Sequence, residues 1–268
     1  GTGAFINLGG IVGIAGTISN CTTSGAINMA GGRMENVGGI AGRVYSSTTN
    51  CISNMSITLN SNANKYGISN IQYVGGLVGN GVTITNCTTN GTITASASNS
   101  FDSYYAQINY VGGLVGTAYT ISSSSASGAI NIKSGKSAQY VGGIAGYLRN
   151  GVNKSYSTMN ISVTPEGQNI GGLAGYGYST TINQCYVGCF LVYGASKLDH
   201  SYSTGNVSGA SYVGGFIGQG TYGTINNSYT TGNVTGSGSN VGGFIGNASS
   251  EKIDTCYASG IENYTGSS

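Results

Sequence analysis

Residues 73–79 read Tyr-Val-Gly-Gly-Leu-Val-Gly, and residues 225–234 read Ile-Asn-Asn-Ser-Tyr-Thr-Thr-Gly-Asn-Val. The first stretch is one of eight segments of the form [VIL]-G-G-[ILF]-[AVI]-G, starting at Leu8, Val37, Val74, Val111, Val141, Ile170, Val213 and Val241. The second is one of nine in which an apolar position is followed three later by Cys or Ser, starting at Ile18, Thr48, Ile84, Ile121, Val152, Ile182, Leu198, Ile225 and Ile253. Within both, apolar and polar residues alternate over short runs rich in Ile, Val, Tyr and Thr and broken by Gly and Asn. That is strand periodicity with turn punctuation, and no stretch shows helical spacing. A short strand unit cannot bury its apolar face alone, but stacked copies build a continuous core. We therefore read residues 1–268 as a single repetitive all-β domain, a parallel β-helix (β-solenoid) of about nine rungs with one Gly-Gly unit per rung. At a strand spacing of about 4.8 Å it would be roughly 40 Å long.

Three local expectations follow from the alignment of the copies. The Gly-Gly unit is missing between Leu191 and Leu198, so the turn starting at Ile182 is only 16 residues long, which predicts a narrowing or kink. Variable insertions at about residues 60–72, 95–109, 133–139 and 164–169 are read as loops on one side. The glycines are read as corner positions, where positive φ and close chain approach favour Gly. A phosphate cradle is the competing reading of the Gly pair, but such loops open a helix and carry Lys or a downstream acid, and none follows here.

Composition sets the class. Glycine contributes 49 residues, charged residues make up 6%, and the formal net charge is +2. A chain 39% apolar with 20 tyrosines should fold, since disorder needs low hydrophobicity and high net charge. The nine Lys and Arg are scattered, giving no electrostatic reason to expect nucleic acid or an anionic membrane surface. No run of 18 apolar residues suggests membrane insertion, and the N-terminus lacks the order of a signal peptide. The chain reads as a mature or excised segment, part of a longer chain or an assembling subunit.

The pattern Tyr-Val-Gly-Gly-Leu-Val-Gly (residues 73–79, and 110–116 likewise), together with Asn-Ser-Tyr-Thr-Thr-Gly-Asn-Val (residues 227–234), resembles the GLUG-motif repeats of large bacterial and some protist surface proteins. The resemblance runs over nearly the whole chain. It implies an extracellular setting, as in adhesin stalks and accessory regions of secreted proteases, and it brings no catalytic residues. The chain departs from it in the missing strand near Val192 and in the Ser-rich copy at residues 121–130.

Aligning the second segments stacks Cys21, Cys51, Cys87, Ser124, Ser155, Cys185, Ser201, Ser228 and Cys256 in one column. Side chains pointing the same way on neighbouring rungs do not suit disulfides, which need side chains turned toward each other. Interchange with Ser argues for an inward ladder of free thiols and hydroxyls, although an even cysteine count in a secreted chain keeps disulfides as the alternative. Cys189 lies off the column. Spacings near 30 residues and a single His disfavour zinc.

The next position presents Tyr156, Tyr186, Tyr202, Tyr229 and Tyr257 on the opposite side, after Thr22, Ile52, Thr88 and Ser125. These tyrosines either stabilise a sheet face by stacking or form a contact strip for a glycan or protein ligand. Eleven Asn-x-Ser/Thr sequons, beginning at Asn20, Asn54 and Asn86 among others, are explained by Asn ladders in a chain rich in these residues.

Chemistry is sparsely equipped. Of seven acids, Asp199 and Asp254 share a column two rungs apart, with Asn226 between them. Asp199 neighbours the only His, His200, but adjacent strand residues point to opposite faces, which predicts no cooperation. No nucleophile elbow surrounds a serine. Thr-x-Thr pairs, as ice binding would use, do not recur in register. Catalytic, cofactor and metal sites are all read as none. The reading is a non-catalytic stalk or adhesin module at the cell surface or outside the cell. A fibre or sheath subunit stacking by self-association is the second reading, and a polysaccharide-acting enzyme the third.

Overall fold

The computed structural model describes residues 5–63, 69–99, 106–135, 137–164, 167–178, 181–183, 190–193, 196–209, 211–221, 223–249 and 252–265. Among them the regular structure is β-strand throughout, and the strands pair in parallel with the equivalent strand of the next copy. One turn shows the plan. Arg33–Gly38 runs along a first face, the chain bends at Gly39 and Ile40, Ala41–Thr49 runs along a second face, and Ile52–Ala63 along a third. Ser69–Gly75 then returns to the first face beside Arg33–Gly38. The result is a β-solenoid-like stack.

The register follows the repeat. On the first face Leu8, Val37, Val74, Val111, Val141 and Ile170 pair in succession, and Val213 pairs with Val241 in a separate two-stranded sheet. On the second face the partners run without a break through Ile18, Thr48, Ile84, Ile121, Val152, Ile182, Leu198, Ile225 and Ile253. Inward positions of all three faces, among them Met34, Ile57, Leu59, Ile71, Leu77, Ile84 and Leu114, are fully buried and fill one core.

The thiol column lies inside this core as a hydrogen-bonded ladder. Cys21, Cys51, Cys87 and Cys256 are free thiols. Each group donates to the carbonyl two residues earlier: Cys51 Sγ to Thr49 O at 3.2 Å, Cys87 Sγ to Thr85 O at 3.2 Å, Ser124 Oγ to Ser122 O at 2.7 Å, Ser228 Oγ to Asn226 O at 2.7 Å. Each also accepts from a backbone N–H one turn earlier, as Ser124 Oγ does from Cys87 N at 3.1 Å and Ser155 Oγ from Ser124 N at 3.1 Å. Cys and Ser interchange because both are small and both can donate and accept. Burial pushes the Cys87 thiol up to about 11 from its usual 9.0 and raises Cys51 and Cys256 as well, so these thiols stay protonated and inert. Cys185 and Cys189 lie outside the described residues.

Two expectations need correction. The corners with positive φ are not built by the Gly pair. They fall on the residue before each Val-Gly-Gly, namely Asn7, Asn36, Tyr73, Tyr110, Tyr140, Asn169, Tyr212 and Asn240, and on the residue before each thiol or hydroxyl, from Asn20 to Thr255. The Gly pair answers a different demand, close approach between turns: a Cβ on Gly75 would run into the Val78 carbonyl and sit 2.7 Å from Val115 Cα. The insertions, second, are strand over nearly all of their described residues, while residues 64–68, 100–105, 136 and 165–166, on which the loop expectation also falls, lie outside the described residues. Ile52–Ala63, Thr88–Asn99 and Ser125–Ser134 extend the third face with continuous pairing, Asn99 reaching Ala63 and Ser134 reaching Ala97. Ala95 and Ala97 point inward while Ser98 is exposed, so small residues carry the alternation that larger ones carry elsewhere.

The missing Gly-Gly unit appears as an extra strand on one face. Phe190–Tyr193 joins the second face between Ala174–Tyr178 and Ile217–Thr221. On the third face Tyr156–Thr164 pairs directly with Val207–Gly209. Among the described residues the second face therefore stacks nine strands along its main path, from Val12–Ser19 to Ile245–Ser249, where the extended third face stacks eight.

Candidate functional site

The tyrosine strip is split between two sheets. Thr22, Ile52, Thr88, Ser125 and Tyr156 pair in succession on the third face, whereas Tyr202, Tyr229 and Tyr257 pair in a separate three-stranded sheet. Tyr156, Tyr229 and Tyr257 are 47%, 39% and 61% exposed, while the thiol and hydroxyl column beside them faces inward. The Tyr202 and Tyr229 rings stack at 4.8 Å with 7° between planes. Tyr156 and Tyr202 share a cavity of about 420 Å³ with Ser157, Thr158 and Thr204. Tyr186 lies outside the described residues.

A second aromatic assembly occupies the corner between the first and second faces. Tyr73, Tyr110 and Tyr140 all have positive φ (56°, 59° and 59°) and stack ring on ring, with centroids 5.0 Å apart at each step. Beside them Tyr147 stacks on Tyr176 at 5.2 Å, and Tyr147 meets the Tyr110 ring edge-on at 6.1 Å. Burial, followed by the neighbouring tyrosines, raises the Tyr110 phenol above its usual range. Two arginines complete the assembly. The Arg43 guanidinium lies 4.8 Å over the Tyr45 ring, and that of Arg149 lies 5.3 Å over Tyr119 and 5.7 Å over Tyr147. Arg149 Nη1 donates to the Tyr119 hydroxyl at 3.3 Å. Of these, Arg43, Tyr73, Tyr110, Tyr119, Tyr147 and Arg149 line a cleft of about 410 Å³ together with Asn80, Gly81, Val82 and Thr117.

This cleft escaped sequence reading, which took Tyr73, Tyr110 and Tyr140 only as the head of a repeat. The available signal was the alternation of Asn and Tyr at one repeat position. Asn is the residue that tolerates left-handed backbone, so a bulky ring there calls for a reason beyond the turn itself.

Asp199 and His200 also behave otherwise than expected. His200 Nδ1 and Asp199 Oδ1 are 2.9 Å apart. The corner residue His200 has φ 46°, so strand alternation does not apply and its ring swings back over its neighbour. The pair is on the surface. Asp199, Asn226 and Asp254 are successive register partners, as expected, and Asn227 Nδ2 also donates to Asp199 Oδ1 at 3.2 Å. Asn ladders occur as well: Asn86 Nδ2 donates to Asn50 Oδ1 at 2.7 Å, and Asn50 Nδ2 to Asn20 Oδ1 at 3.2 Å. Among the described residues no group of three or more His, Cys, Asp or Glu could hold a metal ion, and no helix is long and apolar enough to cross a membrane.

Residues 209–235 match a family model, Glug, described as the GLUG motif. This stretch is one unit of the stack, since it contains the Val213 and Ile225 segments, whose register partners are Leu198 in the preceding unit and Val241 and Ile253 in the following one. No curated protein and no solved structure matches the chain.

Proposed function

We propose that the chain is an extracellular or cell-surface structural module, a parallel β-solenoid of about nine rungs that acts as the stalk or adhesive region of a surface protein, without catalysis. The observation that carries this reading is the unbroken register through nine second segments. It makes a rod from one end of the described chain to the other, with exposed tyrosines displayed along its flank. The GLUG match over residues 209–235 supports the surface setting. On this reading Tyr156, Tyr186, Tyr202, Tyr229 and Tyr257 are a contact strip for a glycan or protein ligand, because an exposed ring with a hydroxyl offers both apolar area and a hydrogen bond.

The test is a glycan array and a surface-protein binding assay with the intact chain and the Tyr202→Ser/Tyr229→Ser variant. We expect binding that falls at least tenfold in the variant while its melting temperature stays within a few degrees. A matching loss of thermal stability assigns the strip to packing alone.

End-to-end self-association is the second reading. It is supported by the parallel pairing of each turn with the next, a geometry that a further copy can continue. Light scattering that returns a monomer at all concentrations removes it.

A further inference from the structure

We propose that the cleft between Arg43 and Arg149 is a binding site for an acidic oligosaccharide, a chain of sugar rings bearing carboxylates. The inference rests on the adhesive reading above and names the ligand class for a different surface from the tyrosine strip.

The cleft is produced by a difference in strand length. On the second face two eight-residue passes, 78–85 and 115–122, lie between two nine-residue passes, Ala41–Thr49 and Ala145–Asn153. From Arg43 to Ser47 is one residue longer than the paired stretch from Asn80 to Thr83, and from Tyr147 to Gly151 is one longer than from Thr117 to Thr120. The outer passes therefore bulge and the inner two are recessed. Bulges re-aim side chains, and here the extra residues fall in 45–46, where Tyr45 packs on Arg43, and in 149–150, where Arg149 packs on Tyr147 and on Tyr119 of the inner pass.

Register defines what is missing in the recess. One outward column runs Arg43, Asn80, Thr117, Tyr147, Tyr176. Tyr176 and Tyr147 are stacked, but the next two places hold only Thr117 and Asn80 before the column reaches Arg43. The rings of Tyr73 and Tyr110 wall this gap from the neighbouring column. A gap in an aromatic stack, bounded by amide, hydroxyl and phenol groups, suits rings with apolar faces and polar edges, which is the character of a sugar.

Charge selects an acidic one. Among the described lining residues there are two arginines and no carboxylate. Arg149 spends one donor on the Tyr119 hydroxyl and is oriented by two rings, and a guanidinium has five donors in a fork that matches a carboxylate. Arg43 and Tyr147 are three strand steps apart, roughly 14 Å at about 4.8 Å per step. One carboxylate cannot bridge that span, so a ligand using both arginines is extended and carries several.

The probe is an oligogalacturonate, titrated into the intact chain by calorimetry, with a neutral cello-oligosaccharide and a short poly-glutamate as comparators. We expect oligogalacturonate binding that weakens with added salt, at least tenfold weaker binding of both comparators, and at least tenfold loss in Arg149→Gln, Arg43→Gln and Tyr147→Leu. Lys133→Gln, which removes an exposed charge on the third face away from the cleft, should bind normally. Thermal melts confirm that each variant is folded, and a pair of alternatives, Arg149→Lys and Arg43→Lys, keeps the charge and should retain part of the affinity. No binding of oligogalacturonate, or binding unchanged in the arginine variants, overturns the assignment. Equal binding of poly-glutamate overturns it in favour of a general polyanion or acidic-peptide surface. If the cleft fails while another ligand is lost in Tyr202→Ser/Tyr229→Ser, the adhesive reading stands without this site. If no glycan or protein binds the chain at all, the adhesive reading falls first.

Discussion

Thr48 stands in a column otherwise filled by Ile18, Ile84, Ile121 and Val152, and its Oγ1 is buried without a hydrogen-bond partner. A buried hydroxyl left unsatisfied costs about 1–3 kcal/mol, and valine has nearly the same shape. Thr48→Val is therefore expected to stabilise the chain by about 1 kcal/mol, read as a higher denaturant midpoint. The thiol ladder predicts a pH dependence of its own. Burial raises Cys87 to about 11 and lifts Cys51, Cys256 and the Tyr110 phenol, so the folded state holds these protons more tightly than the unfolded chain does. For the thiols, stability is fully present below pH 9, where unfolded thiols begin to ionise, and falls as pH rises toward about 11. Melting temperatures across pH 8 to 11 check this, and a rise over that range would contradict it. The column itself was legible in sequence because Cys and Ser alternate at one repeat position. Which carbonyl each group bonds was not, because that depends on the left-handed corner immediately before it.

Between adjacent turns the glycines act through space and not through φ. A Cβ on Gly75 has no room, since it would run into the Val78 carbonyl and the Val115 backbone, whereas one on Gly16 meets nothing within 4 Å. Gly75→Ala should lower stability by about 3 kcal/mol or more, and Gly16→Ala by well under 1, compared by chemical denaturation. Strand elements were readable where Ile and Val mark the inward positions, as in residues 74–79. They were missed in residues 95–98, where Ala faces inward and Ser is its neighbour, because side chains that small give little contrast in hydropathy. The aromatic corner was missed for a related reason. Tyr73, Tyr110 and Tyr140 look like ordinary strand residues in sequence, and only their register stacks the three rings and sets Tyr73 and Tyr110 on the cleft that the length difference between passes 78–85 and Ala145–Asn153 opens.

Over the whole molecule the repeat made the stack legible, because eight copies of one motif and nine of the other leave little choice but pairing each with the next. The consequence of the 16-residue turn was not legible in the sequence: among the described residues it adds the strand Phe190–Tyr193 to the second face. With nine described strands along the main path of the second face against eight along the extended third, we predict that the axis tilts away from the crowded side. Deleting residues 184–199 joins Asn183 to His200 and keeps the register, since Asn183 pairs with Asp199. The shortened chain should fold and be straighter, which X-ray scattering would show as a rod-like profile. An unfolded product, or one no straighter than the parent chain, would disprove this prediction.

A materials scientist would describe the Phe190–Tyr193 strand as an edge dislocation: an extra half-layer inserted into an otherwise regular lattice, displacing one side of it by a single layer spacing. Such defects leave order intact on both sides and concentrate strain where the layer ends. In this rod that place lies beside the Ile161 to Val207 junction, where one register pair spans the fault on the third face. A load applied along the stack would be shared by many register pairs at the regular turns and by a single pair here, so this junction is expected to open first.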